Sequence, residues 1–205
     1  MNDVEIRQNF HRKRLRRQHI HKDTLVIDEL GLNHGKCRAD IAVINGHLVG
    51  YEIKSNNDSL RRLEVQVKAY NAVFDKVFIV VGDRYINSIK NYIPEWWGVI
   101  ASVRGMRGAV NFDIIREART NKKIDPISIA QLLWRNEVEE ILQQKKLPPQ
   151  ILRQPRAVLH KYLVNTLNIC ELRKFVREYI KKRKNWRCPE TPSRYGGLFQ
   201  PAATS

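Results

Sequence analysis

The sequence predicts an α/β protein in which helices flank a sheet and further helices follow it. Short apolar runs rich in β-branched residues recur between residues 25 and 115, which is typical of buried strands. Segments with apolar residues at helical spacing lie before, between and after these runs. The predicted order is therefore helix, three strands, helix and strand, followed by further elements.

A hairpin around Asn45-Gly46 joins two of the predicted strands, and the length of its loop decides which side chains face each other. A two-residue loop sets Asp40 opposite Tyr51, whereas a three-residue loop with Gly46 in the left-handed region sets Asp40 opposite Glu52. We favour the three-residue loop because it separates apolar from polar side chains. One face then carries Ile41, Val43, Val49, Tyr51 and Ile53, and the other carries Asp40, Ala42, Gly50, Glu52 and Lys54.

The other elements of the first 120 residues follow from periodicity and from turn residues. Residues 4–20 have a thin apolar stripe among many cations, which predicts a basic helix. Asn57 or Asp58 is a candidate cap for a helix over residues 60–74. Pro94 ends a short helix over residues 83–92. The remaining strands are predicted over residues 25–32, 76–82, 97–103 and 109–115.

Beyond the core, residues 1–120, the sequence predicts a basic helical module over residues 125–186 and a flexible tail over residues 187–205. One helix covers residues 127–145 and ends before Pro148-Pro149. A pair covers residues 156–167 and 171–186, with Asn168 and Glu171 in a capping box between them. Such a pair is compatible with a helix-turn-helix and equally with any helical hairpin.

The composition indicates a polyanionic partner. Lys and Arg number 37 against 21 Asp and Glu, which gives a formal net charge of +16. Nucleic acid is the first candidate and an acidic membrane surface the second, although a merely basic protein has the same composition. No apolar run has the length of a membrane span, no apolar signal-peptide core is present, and the cysteines form no disulfide framework. These observations predict a cytoplasmic protein without a membrane partner.

Asp40 is followed after eleven residues by Glu52-Ile53-Lys54, and Gln66-Val-Lys-Ala-Tyr70 follows on the next helix. This arrangement resembles the PD-(D/E)XK nuclease superfamily, and within it small stand-alone bacterial and phage proteins. Ala39 stands where that family name has proline. The resemblance covers roughly the first half of the chain. It implies a restriction-endonuclease-like core, α-β-β-β-α-β, with a central mixed sheet flanked by helices.

The resemblance also implies an activity, the Mg²⁺-dependent (or Mn²⁺-dependent) hydrolysis of DNA phosphodiester bonds by a deoxyribonuclease. Its implied catalytic residues are Asp40, Glu52, Lys54 and Gln66. Its implied metal ligands are Asp40, Glu52, the backbone carbonyl of Ile53 and Glu29, with Asp28 as the competitor of Glu29. The residues expected to contact nucleic acid, from the resemblance and from the basic helices, are Arg38, Arg61, Arg62, Tyr70, Arg14 and Arg17.

Three alternatives remain open at the level of sequence. The chain could be a non-catalytic nucleic-acid-binding protein on the same scaffold, serving DNA repair or defence. It could act on RNA, which is a possible partner after DNA. Asp40, Glu52 and Lys54 could also form only a salt-bridge cluster at a sheet edge. A homodimer is possible, since cutting both strands of a duplex favours one.

Overall fold

A six-stranded mixed sheet forms the centre of the protein, in the order β1-β2-β3-β4-β5-β6. The computed structural model describes residues 1–106, 108–183 and 186. β3 is parallel to β4 and β4 to β5, while the other neighbours are antiparallel. The predicted α/β class is therefore confirmed. The strands are β1 (Leu25–Leu32), β2 (Cys37–Ile44), β3 (Leu48–Lys54), β4 (Lys76–Gly82), β5 (Gly98–Arg104) and β6 (Val110–Arg116).

The β2–β3 hairpin has the predicted three-residue register. Ile41 pairs with Tyr51 and Val43 with Val49, which places Asp40 beside Glu52. Gly46 has a φ of 96°, in the left-handed region that glycine adopts without strain. The two faces are sorted as expected, because Ile41, Val43 and Ile53 are buried in one hydrophobic cluster while Ala42 belongs to the other.

Helices cover both faces of the sheet. On one face, the side chains of Ile6 and Phe10 of helix α1 (Asp3–Lys13) pack against β2, β3 and β6. The opposite face packs against α3 (Leu63–Val73) and the C-terminal helices in one continuous core. Within the described part of the chain, no helix is both long enough and apolar enough to cross a membrane.

The predicted basic helix over residues 4–20 is two helices, α1 and α2 (Arg16–Ile20). The backbone amides of Arg14 and Leu15 both donate to the carbonyl of Phe10, so the regular helical bonding ends there. This turn places Leu15 in the core at 1% exposure. The periodicity of the sequence did not reveal this break between α1 and α2, because the burial of Leu15 depends on strands that lie elsewhere in the chain.

Two further helix predictions need correction at their starts. The helix predicted over residues 60–74 begins only at Leu63, and neither Asn57 nor Asp58 caps it. Asp58 instead accepts hydrogen bonds from the backbone amide and the hydroxyl of Ser55. The short helix predicted over residues 83–92 is a pair of 3-10 turns, Asp83–Tyr85 and Ile89–Asn91.

The C-terminal helices are shorter and more numerous than predicted. The helix expected over residues 127–145 is interrupted, because the backbone amide of Trp134 donates to the side chain of Glu137 and starts a new helix. Pro149 does not end a helix but begins one, as proline does at a first helical position. The helices are α4 (Pro126–Ala130), α5 (Arg135–Gln144), α6 (Pro149–Leu152), α7 (Arg156–Thr166) and α8 (Ile169–Lys182).

The capping box that joins α7 to α8 is confirmed. Asn168 accepts from the backbone amide of Glu171 at 3.0 Å, and Glu171 accepts from the backbone amide of Asn168 at 3.2 Å. The helices after residue 125 share one hydrophobic core with the sheet, and the division at residues 120–125 stays a prediction. The predicted tail, residues 187–205, lies outside the described residues.

Candidate functional site

Asp40 occupies the start of the polar face of the hairpin, where the Ile53 amide and Arg7 hold its side chain and Arg7 also contacts its backbone. Its Oδ2 accepts from the backbone amide of Ile53 at 2.7 Å. Arg7 of α1 donates to the Asp40 carbonyl at 2.7 Å and to Oδ1 at 3.1 Å. Burial raises the pKa of Asp40, while the Ile53 amide and the Arg7 guanidinium act in the opposite direction. The carboxyl group is thus fixed in place by partners on two elements.

Glu52 lies beside Asp40 and is fully buried. Its Oε1 accepts from Lys54 Nζ at 2.7 Å and from Gln66 Nε2 at 2.5 Å, and its Oε2 accepts from the Tyr70 hydroxyl at 2.6 Å. Burial raises the pKa of Glu52 to about 7, and the neighbouring charge of Asp40 adds to the increase. Glu52 therefore changes charge near neutral pH.

Tyr70 connects the backbone of Asp40 to the carboxyl group of Glu52 from inside the core. Its hydroxyl accepts from the backbone amide of Asp40 at 3.1 Å and donates to Glu52. Burial raises the pKa of the Tyr70 phenol well above its usual value, so it remains a donor. Because Tyr70 is fully buried, it lies beneath the surface where we expected it to contact nucleic acid, and it positions Glu52 instead.

The predicted catalytic group Asp40, Glu52, Lys54 and Gln66 is therefore brought together, with Tyr70, in a single bonded network. The resemblance described in the sequence analysis had pointed to all five residues. It missed Arg7, which joins this network from α1, because no local pattern links position 7 to position 40. The i,i+4 ion pair of Arg7 with Asp3 is the only contact that the helix sequence itself suggests.

Asp28 and Glu29 of β1 have different surroundings, and regular strand geometry is interrupted at Glu29, which has no partner in the β1–β2 register. Asp28 Oδ1 is 3.0 Å from His11 Nε2, near the face that α1 covers. Glu29 has a φ of 57° and forms a 3.5 Å ion pair with Arg38. Glu29, not Asp28, therefore lies with Asp40 in the wall of a cleft, where its role in metal binding stays a prediction.

This cleft has a volume of about 460 Å³ and lies between the start of β2 and the start of α3. The predicted contacts Arg38 and Arg62 line it, together with Lys36, which the sequence analysis missed. Arg61 is exposed but does not line it, Arg14 is exposed in the turn between α1 and α2, and Arg17 is exposed on α2. Of the six predicted nucleic-acid contacts, two thus line the cleft, three are exposed elsewhere and Tyr70 lies in the core.

The donor set does not form a preassembled divalent-metal site. Both oxygens of Glu52 accept hydrogen bonds, and those of Asp40 are engaged by Arg7 and by the amide of Ile53. Across residues 1–106, 108–183 and 186, no group of three or more His, Cys, Asp or Glu side chains is arranged to hold a metal ion. Binding of Mg²⁺ or Mn²⁺, including the ligand role of the Ile53 carbonyl, stays a prediction.

Comparison with known proteins assigns the chain to a family. The family model described as bacteriophage P4 protein cII matches residues 3–188. The chain belongs to this family. Protein cII of Enterobacteria phage P4 is 28% identical over 161 residues, which are 78% of this chain and 60% of that protein. The chain thus spans less than two thirds of the length of this relative. No solved structure matches the chain.

The family assignment corrects the interpretation based on resemblance. The chain belongs to the P4 cII family and not to the PD-(D/E)XK nucleases, so the assignments as a DNA nuclease, as an enzyme and as a hydrolase are wrong. The physical reason for the error is visible at Glu52. At these spacings a lysine, a glutamine and a tyrosine can simply donate to the acid, so that both oxygens of Glu52 accept hydrogen bonds.

Proposed function

We propose that this member of the P4 cII family is a DNA-binding protein that contacts the phosphate backbone without cleaving it. A formal charge of +16 on 205 residues supports a polyanionic partner. The surface that we assign to this contact is the basic edge, which we define by its exposed and half-buried cations. These are Arg16, Arg17, Lys22, Arg177, Lys181 and Lys182.

One tertiary contact carries the proposal. Lys181 Nζ on α8 donates to the carbonyl of Asp23 at 2.6 Å, across 158 positions of sequence. The contact brings the C-terminal half of α8 to the connection between α2 and β1. Two basic segments that are remote in sequence therefore form one surface. A surface that joins several cations in this way can contact successive phosphates of one strand.

Two acids on or in contact with α8 are neutralised by cations that lie outside the basic edge. Arg173 pairs with Asp75 at 2.5 Å, and Lys145 pairs with Glu171 at 2.8 Å. No ion pair involves Arg16, Arg17 or Arg177 among the residues that the structure describes. These guanidinium groups are thus available to phosphate.

Fluorescence anisotropy of a labelled DNA duplex, measured over a range of salt concentrations, tests the proposal. Each neutralised phosphate contributes about −0.9 to the slope of log K against log salt. Arg17→Gln and Arg177→Gln should each weaken binding. Each should also reduce the magnitude of this slope by about 0.9, the contribution of one phosphate contact. Binding should persist in a chelator of divalent ions, and RNA of equal length is the comparison for the choice of DNA.

Lys68→Gln is the matched control, because it removes one charge from an exposed lysine of α3 that already pairs with Glu64 at 2.7 Å. This variant should keep the wild-type slope. Salt-independent association of the wild type, or an equal loss in all three variants, would reject the basic edge as the binding surface. A homodimer stays a separate prediction that analytical ultracentrifugation tests.

For the scaffold we propose a restriction-endonuclease-like arrangement used for binding. The order of elements from α1 to β4 and the neighbouring positions of Asp40 and Glu52 support it. An experimental structure whose sheet and α3 superpose poorly on that arrangement would count against it. DNA binding by the basic edge does not depend on this point.

A further inference from the structure

The basic edge leaves the cleft between β2 and α3 without a function. Besides its cations Lys36, Arg38 and Arg62, the cleft is bounded by the turn that ends β1. Asn33, His34 and Gly35 in this turn all have positive φ, at 47°, 55° and 84°. Gly35 adopts the left-handed region without strain, but Asn33 and His34 do so at a cost, and such strain is commonly found at binding sites.

The charge balance of the cleft favours an anion. Its two acids are Glu29, which is paired with Arg38, and Asp40, which Arg7 contacts at 3.1 Å. Lys36 and Arg62 are exposed and take part in no ion pair among the described residues. A phosphate placed between them would gain charge-assisted hydrogen bonds from both sides of the cleft.

Gln66 provides a second and independent observation. Its Nε2 donates to Glu52 Oε1 at 2.5 Å, and this bond orients the amide. Its Oε1 is buried and accepts no hydrogen bond in the described part of the chain. A buried acceptor without a partner is unfavourable. Gln66 also lines the cleft, so a rotation of its side chain would present this unused acceptor to a ligand there.

We propose that the cleft binds one nucleoside phosphate, supplied by the unpaired terminal nucleotide of a DNA strand. Lys36, Arg38 and Arg62 hold the phosphate, and an amino or hydroxyl group of the nucleotide donates to Gln66 Oε1. A volume of about 460 Å³ is in the range of small-molecule pockets and accommodates one nucleotide but not a duplex. This inference rests on the proposed DNA binding and adds recognition of a strand end.

The experiment compares two duplexes of equal length by anisotropy, one blunt and one with a phosphorylated single-nucleotide overhang. Wild type should bind the overhang about tenfold more tightly, as expected for one charge-assisted hydrogen bond. Arg62→Gln and Gln66→Leu should abolish the preference while keeping the affinity for the blunt duplex. Arg61→Gln removes the same charge one residue away, outside the cleft, and should retain the preference.

The outcomes separate this inference from the function on which it rests. Failure of both duplexes to bind would reject the DNA-binding proposal itself. Equal binding of both duplexes, or the same preference in Arg62→Gln as in Arg61→Gln, would overturn the strand-end inference alone. Competition by a free nucleoside monophosphate as effective as that of the overhang would overturn the strand end as the source. If Gln66→Leu fails to fold, Arg62→Gln decides the question.

Discussion

The buried carboxyl group of Glu52 should make the stability of the protein fall as pH rises toward neutrality. Burial raises its pKa from 4.5 to about 7 in the folded protein. Between these two values the folded state holds a proton that the unfolded state has released, so the free energy of unfolding decreases with increasing pH. At about 1.4 kcal/mol per unit, the loss across this window is about 3 kcal/mol. Above pH 7 this group contributes no further slope.

Glu52→Gln tests this reasoning, because the amide keeps the size of the side chain and removes its titration. Urea unfolding of both proteins between pH 4.5 and pH 8 gives the two free-energy profiles, and their difference cancels the groups that they share. The wild type should lose about 3 kcal/mol relative to the variant over the window. Glu64→Gln, at an exposed acid of α3, should parallel the wild type. Parallel profiles for wild type and Glu52→Gln would refute the argument.

Two packing predictions follow from single contacts. Gly50→Ala should destabilise the protein by about 1–3 kcal/mol in urea unfolding, since the added Cβ would lie 2.8 Å from the Phe74 ring; a neutral result would show that the ring moves freely. Arg183→Ala should cost about 3–5 kcal/mol, because it leaves Glu137 buried without the guanidinium that now donates to both its oxygens. Unchanged thermal stability would rule out a structural role for that pair.

Local patterns predicted the strands and the hairpin well. β1 and β4 have the predicted ends, and the preferred loop of the hairpin was correct because only that register separates the apolar side chains from Asp40 and Glu52. The capping box between α7 and α8 could also be predicted from the sequence, since both of its partners lie within one turn. These features depend on residues that are close in sequence, so the sequence was sufficient for them.

The ends of the helices were harder to predict from the sequence, for a physical reason. Leu15 leaves the helical path because it packs against distant strands, and Trp134 starts a new helix where the periodicity ran on unbroken. Periodicity reports which face is apolar, but not whether the tertiary structure bends the helix to bury it. Such breaks are visible only when the partners of the buried side chain are in place.

The sequence by itself determined the α/β class, the strands, the excess of positive charge and the grouping of Asp40, Glu52, Lys54, Gln66 and Tyr70. The tertiary structure decided what these residues are bonded to. It placed the Arg7 guanidinium in contact with Asp40 and the Tyr70 hydroxyl in contact with Glu52, and it brought Lys181 of α8 to the carbonyl of Asp23. A spacing pattern records which groups can meet, whereas the number of donors around each carboxylate depends on the packing of elements that are remote in the chain.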